Sequence, residues 1–376
     1  MIVILGIIIL VLFIVLYFLS EQQRVDKGLN ILSKYENLAL ITNSTFSDRG
    51  RLCDYYVMSS FRPYSGVRQK YDYVSLELLK AQMRLGCRFL WIDIFCDKIA
   101  AKPEPVIFNG QEKGNYNFSL NSISFENCIK EISRIAFTSG KVNNYNDPLI
   151  LGLNLNVRSN MFCLNRIKEI LIKNLGDKLL SIEHSVLNTN RKISEIVLKD
   201  ISGTNAKIII LSNRQAENST LEELINGYWD NSIGNYTNVV SLSNESINKD
   251  QSAEVIKQNP NLLRDYNKTN LSIIHPTSNS IYTKQLDPQF AFDSECQFVC
   301  MNMLKIDDNM KLYLEKFNSN AFVLKDNVKY DKPALPKRNK GSGKTTDKEE
   351  KKIMCPYKSD EDYSSDSDSA WDSTIF

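Results

Sequence analysis

Phe89-Leu90-Trp91-Ile92-Asp93-Ile94-Phe95 and Leu149-Ile150-Leu151-Gly152-Leu153-Asn154-Leu155 decide the fold. Both are short β-type runs, and between them Phe125–Phe137 places apolar residues at helical spacing. A strand, a helix and a further strand suggest parallel strands joined by crossover helices. Working outward, further β-type runs lie at Tyr55–Ser59, Pro105–Phe108, Lys207–Leu211, Val239–Leu242, Leu271–His275 and Cys296–Met301. Eight candidate strands result, which is the number for a closed β/α barrel of the TIM type.

Helical patterns also cover Ser75–Leu85 and Met161–Leu175. In the latter, Phe162, Ile167, Ile170 and Leu171 fall on one side while Arg166, Lys168 and Glu169 face away. Residues 215–238 are polar, with Gly227 and Gly234, and read as a linker between five strands and three. A barrel of this kind carries its chemistry on the loops at the carboxyl ends of its strands. Those ends hold Phe61 and Arg62, Asp93 and Asp97, Asn109, Asn154, Asn213 and Arg214, Ser243, His275 and Asn302. Amides, hydroxyls and aromatics dominate, so few groups there can move protons near neutrality.

Composition bounds the function classes. The chain has 376 residues, 43% of them apolar, enough for a sizeable core. A net charge of +2, from 46 basic and 44 acidic residues, excludes a whole-chain electrostatic role such as coating nucleic acid. Ile2–Leu19 is uncharged and apolar and predicts an N-terminal transmembrane helix over 2–19, followed by a juxtamembrane segment over 20–50. Arg24, Lys27 and Lys34 follow the run, which places the body on the cytosolic side. Asn-x-Ser/Thr sequons such as those at Asn43, Asn218 and Asn244 pull the other way, but a chain so rich in Asn, Ser and Thr produces them by chance. The eight cysteines show no framework spacing and read as reduced structural thiols. Residues 331–376 join a basic stretch to an acidic, serine-rich one and read as a disordered charged tail, open to phosphorylation and to protein partners.

Several of these stretches resemble the X and Y catalytic halves of eukaryotic phosphoinositide-specific phospholipase C. Ser59-Ser60-Phe61-Arg62-Pro63-Tyr64 is similar to the family's Ser-His-Asn-Thr-Tyr strand end, and Gly86-Cys87-Arg88-Phe89-Leu90-Trp91-Ile92-Asp93 to its Gly-Cys-Arg-x-x-Glu-Leu-Asp run. Pro105-Val106-Ile107-Phe108-Asn109-Gly110 looks like Pro-Val-Ile-Tyr-His-Gly, and Pro148–Asn154 like Pro-Val-Ile-Leu-Ser-Leu-Glu. In the second half, Asn259-Pro260, Tyr266-Asn267-Lys268 and Leu271-Ser272-Ile273-Ile274-His275-Pro276 resemble Asn-Pro, Tyr-Asn-Lys and Leu-Ser-Arg-Ile-Tyr-Pro. The resemblance implies a split barrel, with an X-like half over 51–214, the linker over 215–238 and a Y-like half over 239–330.

It also implies a set of lost functional groups. The family's two catalytic histidines correspond to Phe61 and Asn109, and its calcium ligands to Arg62, Trp91, Asp93 and Asn154, of which Asp93 alone keeps a carboxylate. The chain's two histidines, His184 and His275, lie elsewhere. Family headgroup positions hold Leu211, Asn213, Ile273 and His275, which leaves Arg62, Arg214, Ser243 and His275 as headgroup-binding candidates. Asn and Phe cannot transfer the protons that phospholipase C chemistry needs, and acid–base steps are each worth roughly 10²–10⁴-fold. The resemblance therefore implies a membrane-anchored pseudoenzyme that binds or scaffolds beside membrane lipids, phosphoinositides included, and needs no cofactor. The competing expectation is a divergent active enzyme that hydrolyses phosphoinositides with calcium.

Overall fold

A computed structural model describes residues 2–36, 41–97, 103–111, 116–188, 191–231, 238–243, 260–276, 281–282 and 285–328. The expected tail at 331–376 lies outside the described residues. Eight parallel strands form the barrel: β1 (Tyr55–Phe61), β2 (Phe89–Cys96), β3 (Leu149–Asn156), β4 (Ile208–Asn213), β5 (Gly227–Asp230), β6 (Val239–Ser243), β7 (Leu271–His275) and β8 (Phe298–Met301). Pairing runs in sequence order around the ring and closes where Val57 of β1 meets Phe298 of β8.

Two expectations need correction, and they cancel in the strand count. Pro105–Ile107 is not a barrel strand: it pairs antiparallel with the far end of β2, Phe95 opposite Val106, because β2 outruns its neighbour β1. The missing strand is β5, inside the segment expected to be a linker, where Leu211 of β4 pairs with Gly227 and Trp229 pairs with Val239. Four strands therefore precede residue 215 and four follow it, a division the polar flanks of Gly227-Tyr228-Trp229-Asp230 conceal.

The helices α2 (Leu76–Arg84), α3 (Phe125–Ile135) and α4 (Met161–Leu175) cover the first half of the ring. In α3, Phe125, Cys128, Ile129, Ile132 and Ile135 are buried, the one-sided stripe that drives a helix onto a sheet. The hydroxyl of Ser75 and the side chain of Asn160 cap α2 and α4 by accepting from the Glu77 and Cys163 backbone N–H groups. Phe162 departs from expectation: it is 79% exposed at the first turn of α4 instead of facing the sheet. The second half has α5 (Pro260–Tyr266), α6 (Pro288–Asp293) and α7 (Asp308–Lys316). Inside the barrel the rings of Phe89 and Phe298 stack with centroids 4.6 Å apart. Gly152 makes room for them, since a Cβ there would lie 2.6 Å from the Phe89 ring.

Upstream, α1 (Ile2–Glu36) is one continuous helix of 35 residues. Among the described residues no helix is long and apolar enough to cross a membrane, so the spanning helix expected at 2–19 is not borne out as such. Side chains of Ile2, Val3, Leu5, Ile14, Tyr17, Phe18 and Leu19 lie outside the described set. The described apolar side chains between Ile4 and Leu16 are 45% to 67% exposed. The cysteine expectation is also corrected: Cys96 at the end of β2 is bonded to Cys163 in α4, while Cys53, Cys87, Cys128, Cys296 and Cys300 are free and buried.

Candidate functional site at the barrel mouth

The carboxyl ends of β1, β2, β3 and β7 bring Phe61, Arg62, Trp91, Asp93, Asn154 and His275 together. Arg62 ends β1 with φ at 48°, a left-handed backbone unusual outside glycine. Its amide donates to the Trp91 carbonyl at 3.2 Å, which anchors the turn to β2. The guanidinium is turned inward and only 4% exposed, with Nη2 2.5 Å from Asp93 Oδ2 and Nη1 donating to Gln69 Oε1 at 3.4 Å. Asp93 is fully buried. Its Oδ1 accepts from Trp91 Nε1 at 2.8 Å and from Asn154 Nδ2 at 2.9 Å, and its backbone amide donates to the Tyr64 hydroxyl at 3.1 Å. Asn154 Oδ1 in turn accepts from Asn213 Nδ2 at 3.1 Å. Because a carboxylate only accepts, Asp93 fixes which way both amides point.

Beside this pair sits an aromatic cluster, with the Arg62 guanidinium 5.0 Å from the Phe61 ring centroid. The imidazole of His275 stacks on Phe61 at 5.7 Å and an interplanar angle of 8°, and lies 4.6 Å from the Trp91 ring. Trp91 also stacks on Trp229 at 4.9 Å. Burial pushes the His275 pKa down to about 4, against a smaller opposing effect from the Pro276 carbonyl beside Nδ1. At 2.9 Å that carbonyl accepts from Nδ1, so the proton of the neutral ring sits there. A ring that is neutral at pH 7 and so reluctant to take a proton is a poor general base.

The other expected residues are placed less centrally. Asn109 is buried and donates from Nδ2 to Ser65 Oγ at 2.7 Å, which ties it to the loop after β1. Arg214 forms a two-pronged pair with Asp230, at 2.5 and 2.9 Å, and a second ion pair with Glu217. It lines a cavity of about 200 Å³ together with Arg191, Lys192 and Tyr228. Ser243 ends β6 directly opposite His275 in the register. Sequence reasoning missed Trp229 and Gln69, and it quoted Tyr64 in the strand-end motif without giving it a role; Trp229 was hidden by the short β5, and nothing local marks Gln69.

Calcium takes roughly six to eight hard oxygens, several of them anionic. The residues present do not fit it. Asp93 spends both oxygens on Arg62, Trp91 and Asn154, the amide of Asn154 presents its N–H₂ group, and a guanidinium supplies the positive charge. Among the described residues no three His, Cys, Asp or Glu side chains come together as a metal site.

An eight-stranded parallel barrel whose functional positions gather at the strands' carboxyl ends defines the class of protein. Residues 49–214 match the X domain of phosphatidylinositol-specific phospholipase C and residues 223–328 its Y domain. The chain belongs to that family. It is similar to 1-phosphatidylinositol 4,5-bisphosphate phosphodiesterase delta-3-A of Danio rerio, at 23% identity over 331 residues, covering 78% of this chain and 40% of that one. The fold is also that of the crystal structures of S. officinalis PLC21, with TM-score 0.57, 19% identity and 74% of this chain and 37% of that one covered, and L. pealei PLC21, with TM-score 0.58, 19% identity and 76% and 38% covered. The chain thus spans less than half the length of each of these relatives.

Proposed function

We propose that this protein is a membrane-anchored, catalytically inactive phospholipase-C-like barrel that acts by binding or scaffolding beside phosphoinositide-bearing lipid. The single observation that carries the reading is the Arg62–Asp93 ion pair. It puts a fixed organic cation beside the one carboxylate retained among the family's calcium positions, and the aromatic cluster of Phe61, Trp91 and His275 packs beside it. No histidine stands at Phe61 or Asn109, and His275 is held neutral, so neither a base for the inositol hydroxyl nor an acid for the leaving group is in place.

Anchoring is supported by the exposed apolar side chains of α1, which find no cover in the described chain. Two features bear on the side of the membrane. Arg24, Lys27 and Lys34 after the apolar run favour the cytosolic face, whereas the Cys96–Cys163 bond suits an oxidising compartment. We weigh the charge bias more heavily, because the basic residues flanking an apolar run are what set the orientation of a membrane-inserted chain.

The alternative, an active phosphodiesterase, is favoured by the likeness to the delta-3-A relative. Incubating the purified chain with vesicles containing phosphatidylinositol 4,5-bisphosphate and calcium decides between them. The proposal expects no release of inositol phosphates above background; calcium-dependent release that Asp93→Asn abolishes would establish the enzyme.

A further inference from the structure

We propose that the outer wall of the barrel holds a site for a small soluble phosphate, either inorganic phosphate or the phosphate group of a simple monoester. Such a site goes beyond the function proposed above and does not depend on whether the barrel is active. It is the cavity of about 200 Å³ that Arg214 lines. Successive residues of a strand point to opposite faces. In β5, Trp229 turns inward and stacks on Trp91, so Tyr228 turns outward, and Tyr228 lines the cavity. Ser185, Arg191 and Lys192, from the connection between α4 and β4, and Asn226, just ahead of β5, line it as well. The sheet itself therefore stands between this cavity and the Arg62–Asp93 pair.

Charge, an unmatched hydroxyl and size together specify the ligand. The lining carries three cations, Arg191, Lys192 and Arg214, and no carboxylate. Arg214 is already paired with Asp230 and Glu217, which stand just outside the lining. Arg191 meets Glu183 only at 3.8 Å, with both side chains more than half exposed, and Lys192 forms no ion pair among the described residues. The excess positive charge thus rests with Arg191 and Lys192. Ser185 is 2% exposed, yet its Oγ meets no hydrogen-bond partner. A buried hydroxyl left in that state is costly unless a further group engages it, and an anion's oxygen can accept from it. Its position is set by a frame that does not use the hydroxyl. The Val186 amide donates to the Ile225 carbonyl, and the Asn226 side chain accepts from the Ile210 amide at 2.7 Å and donates to the His184 carbonyl at 3.1 Å. Pockets that enclose drug-sized ligands measure roughly 300–1,000 Å³, so this one admits a phosphate group with a few waters but not a nucleotide. A phosphate brings oxygens for Ser185, Arg191 and Lys192 at once and roughly two negative charges against the two cations, where a carboxylate brings one.

The test is calorimetric titration of inorganic phosphate into the full chain in detergent, against chloride of matched ionic strength. One saturable event is expected. Ser185→Ala should weaken it roughly tenfold, as for loss of a hydrogen bond to a charged group, and Lys192→Gln about two- to fivefold. Lys311→Gln, at an exposed lysine of α7, should leave it unchanged. The Ser185 hydroxyl and the Lys192 ammonium make no contact that the fold uses, so both variants should melt in chloride as the parent does. Glycerol phosphate should displace the bound phosphate, whereas phosphatidylcholine vesicles carrying phosphatidic acid should not. Absence of saturable heat, or binding that either Ser185→Ala or Lys192→Gln leaves unchanged, would overturn the site. Displacement by the vesicles and not by glycerol phosphate would overturn the soluble ligand and assign the cavity to a lipid headgroup. Release of inositol phosphates by the parent chain would refute the inactive barrel and leave this result standing.

Discussion

Arg62 and Asp93 form an ion pair at 2.5 Å in which the side chains are 4% and 1% exposed. A pair so deeply buried is held by mutual need: each charge alone would lack the solvation it has lost. Removing one partner from such a pair costs about 3–5 kcal/mol, whereas replacing both with apolar groups is often neutral.

Asp93→Asn should therefore lower unfolding stability in urea by about 3–5 kcal/mol, since it strands the guanidinium. The double variant Arg62→Met with Asp93→Asn should recover most of that loss, since an amide oxygen at 93 still accepts from Trp91 and Asn154. Additive losses in the double variant would show that the two side chains are not coupled.

His275 makes stability depend on acidity. Its folded pKa of about 4 lies below the ordinary 6.5, so between these values the unfolded chain takes up a proton that the folded chain refuses. The stabilisation is complete above pH 6.5 and drains away as the pH falls towards 4. Melting curves across that window should show the decline, and His275→Gln should flatten its part of the slope. An unchanged slope in the variant would remove His275 as the cause.

The Cys96–Cys163 bond closes a loop with sequence separation 67. On a chain-entropy account a loop of that size contributes about 4 kcal/mol. Cys163→Ser should lower stability in oxidising buffer by about 2–4 kcal/mol. Added reductant should lower the parent chain to the same level and leave the variant unmoved; a variant still sensitive to reductant would point to a different bridge.

Gly152→Ala tests the packing inside the barrel. The new methyl would meet the Phe89 ring at 2.6 Å, and that ring is itself stacked on Phe298. Overpacking of this kind costs about 1–3 kcal/mol. A melting temperature equal to the parent's would show that the two rings have slack.

Much of the barrel was legible because Phe89–Phe95 and Leu149–Leu155 are long apolar runs whose type survives without context. Gly227–Asp230 was not, since a four-residue strand flanked by polar residues has no periodicity to read, and its pairing with Leu211 and Val239 exists only in three dimensions. Pro105–Ile107 misled for the converse reason: its β-type composition is real, but its partner is the overhang of β2. Within the site, the change of residue type at Phe61, Arg62, Trp91 and Asn154 was visible in the motifs. That Arg62 turns inward to Asp93 was not, because it depends on a left-handed backbone at one residue. Trp229 escaped with its strand.

The central claim, that a guanidinium occupies the role a metal would need at the mouth, is met most directly by calorimetric titration of calcium into the full-length chain. The account predicts no saturable heat at millimolar calcium and no difference between the parent and Asp93→Asn. Saturable one-site binding that Asp93→Asn removes would contradict it.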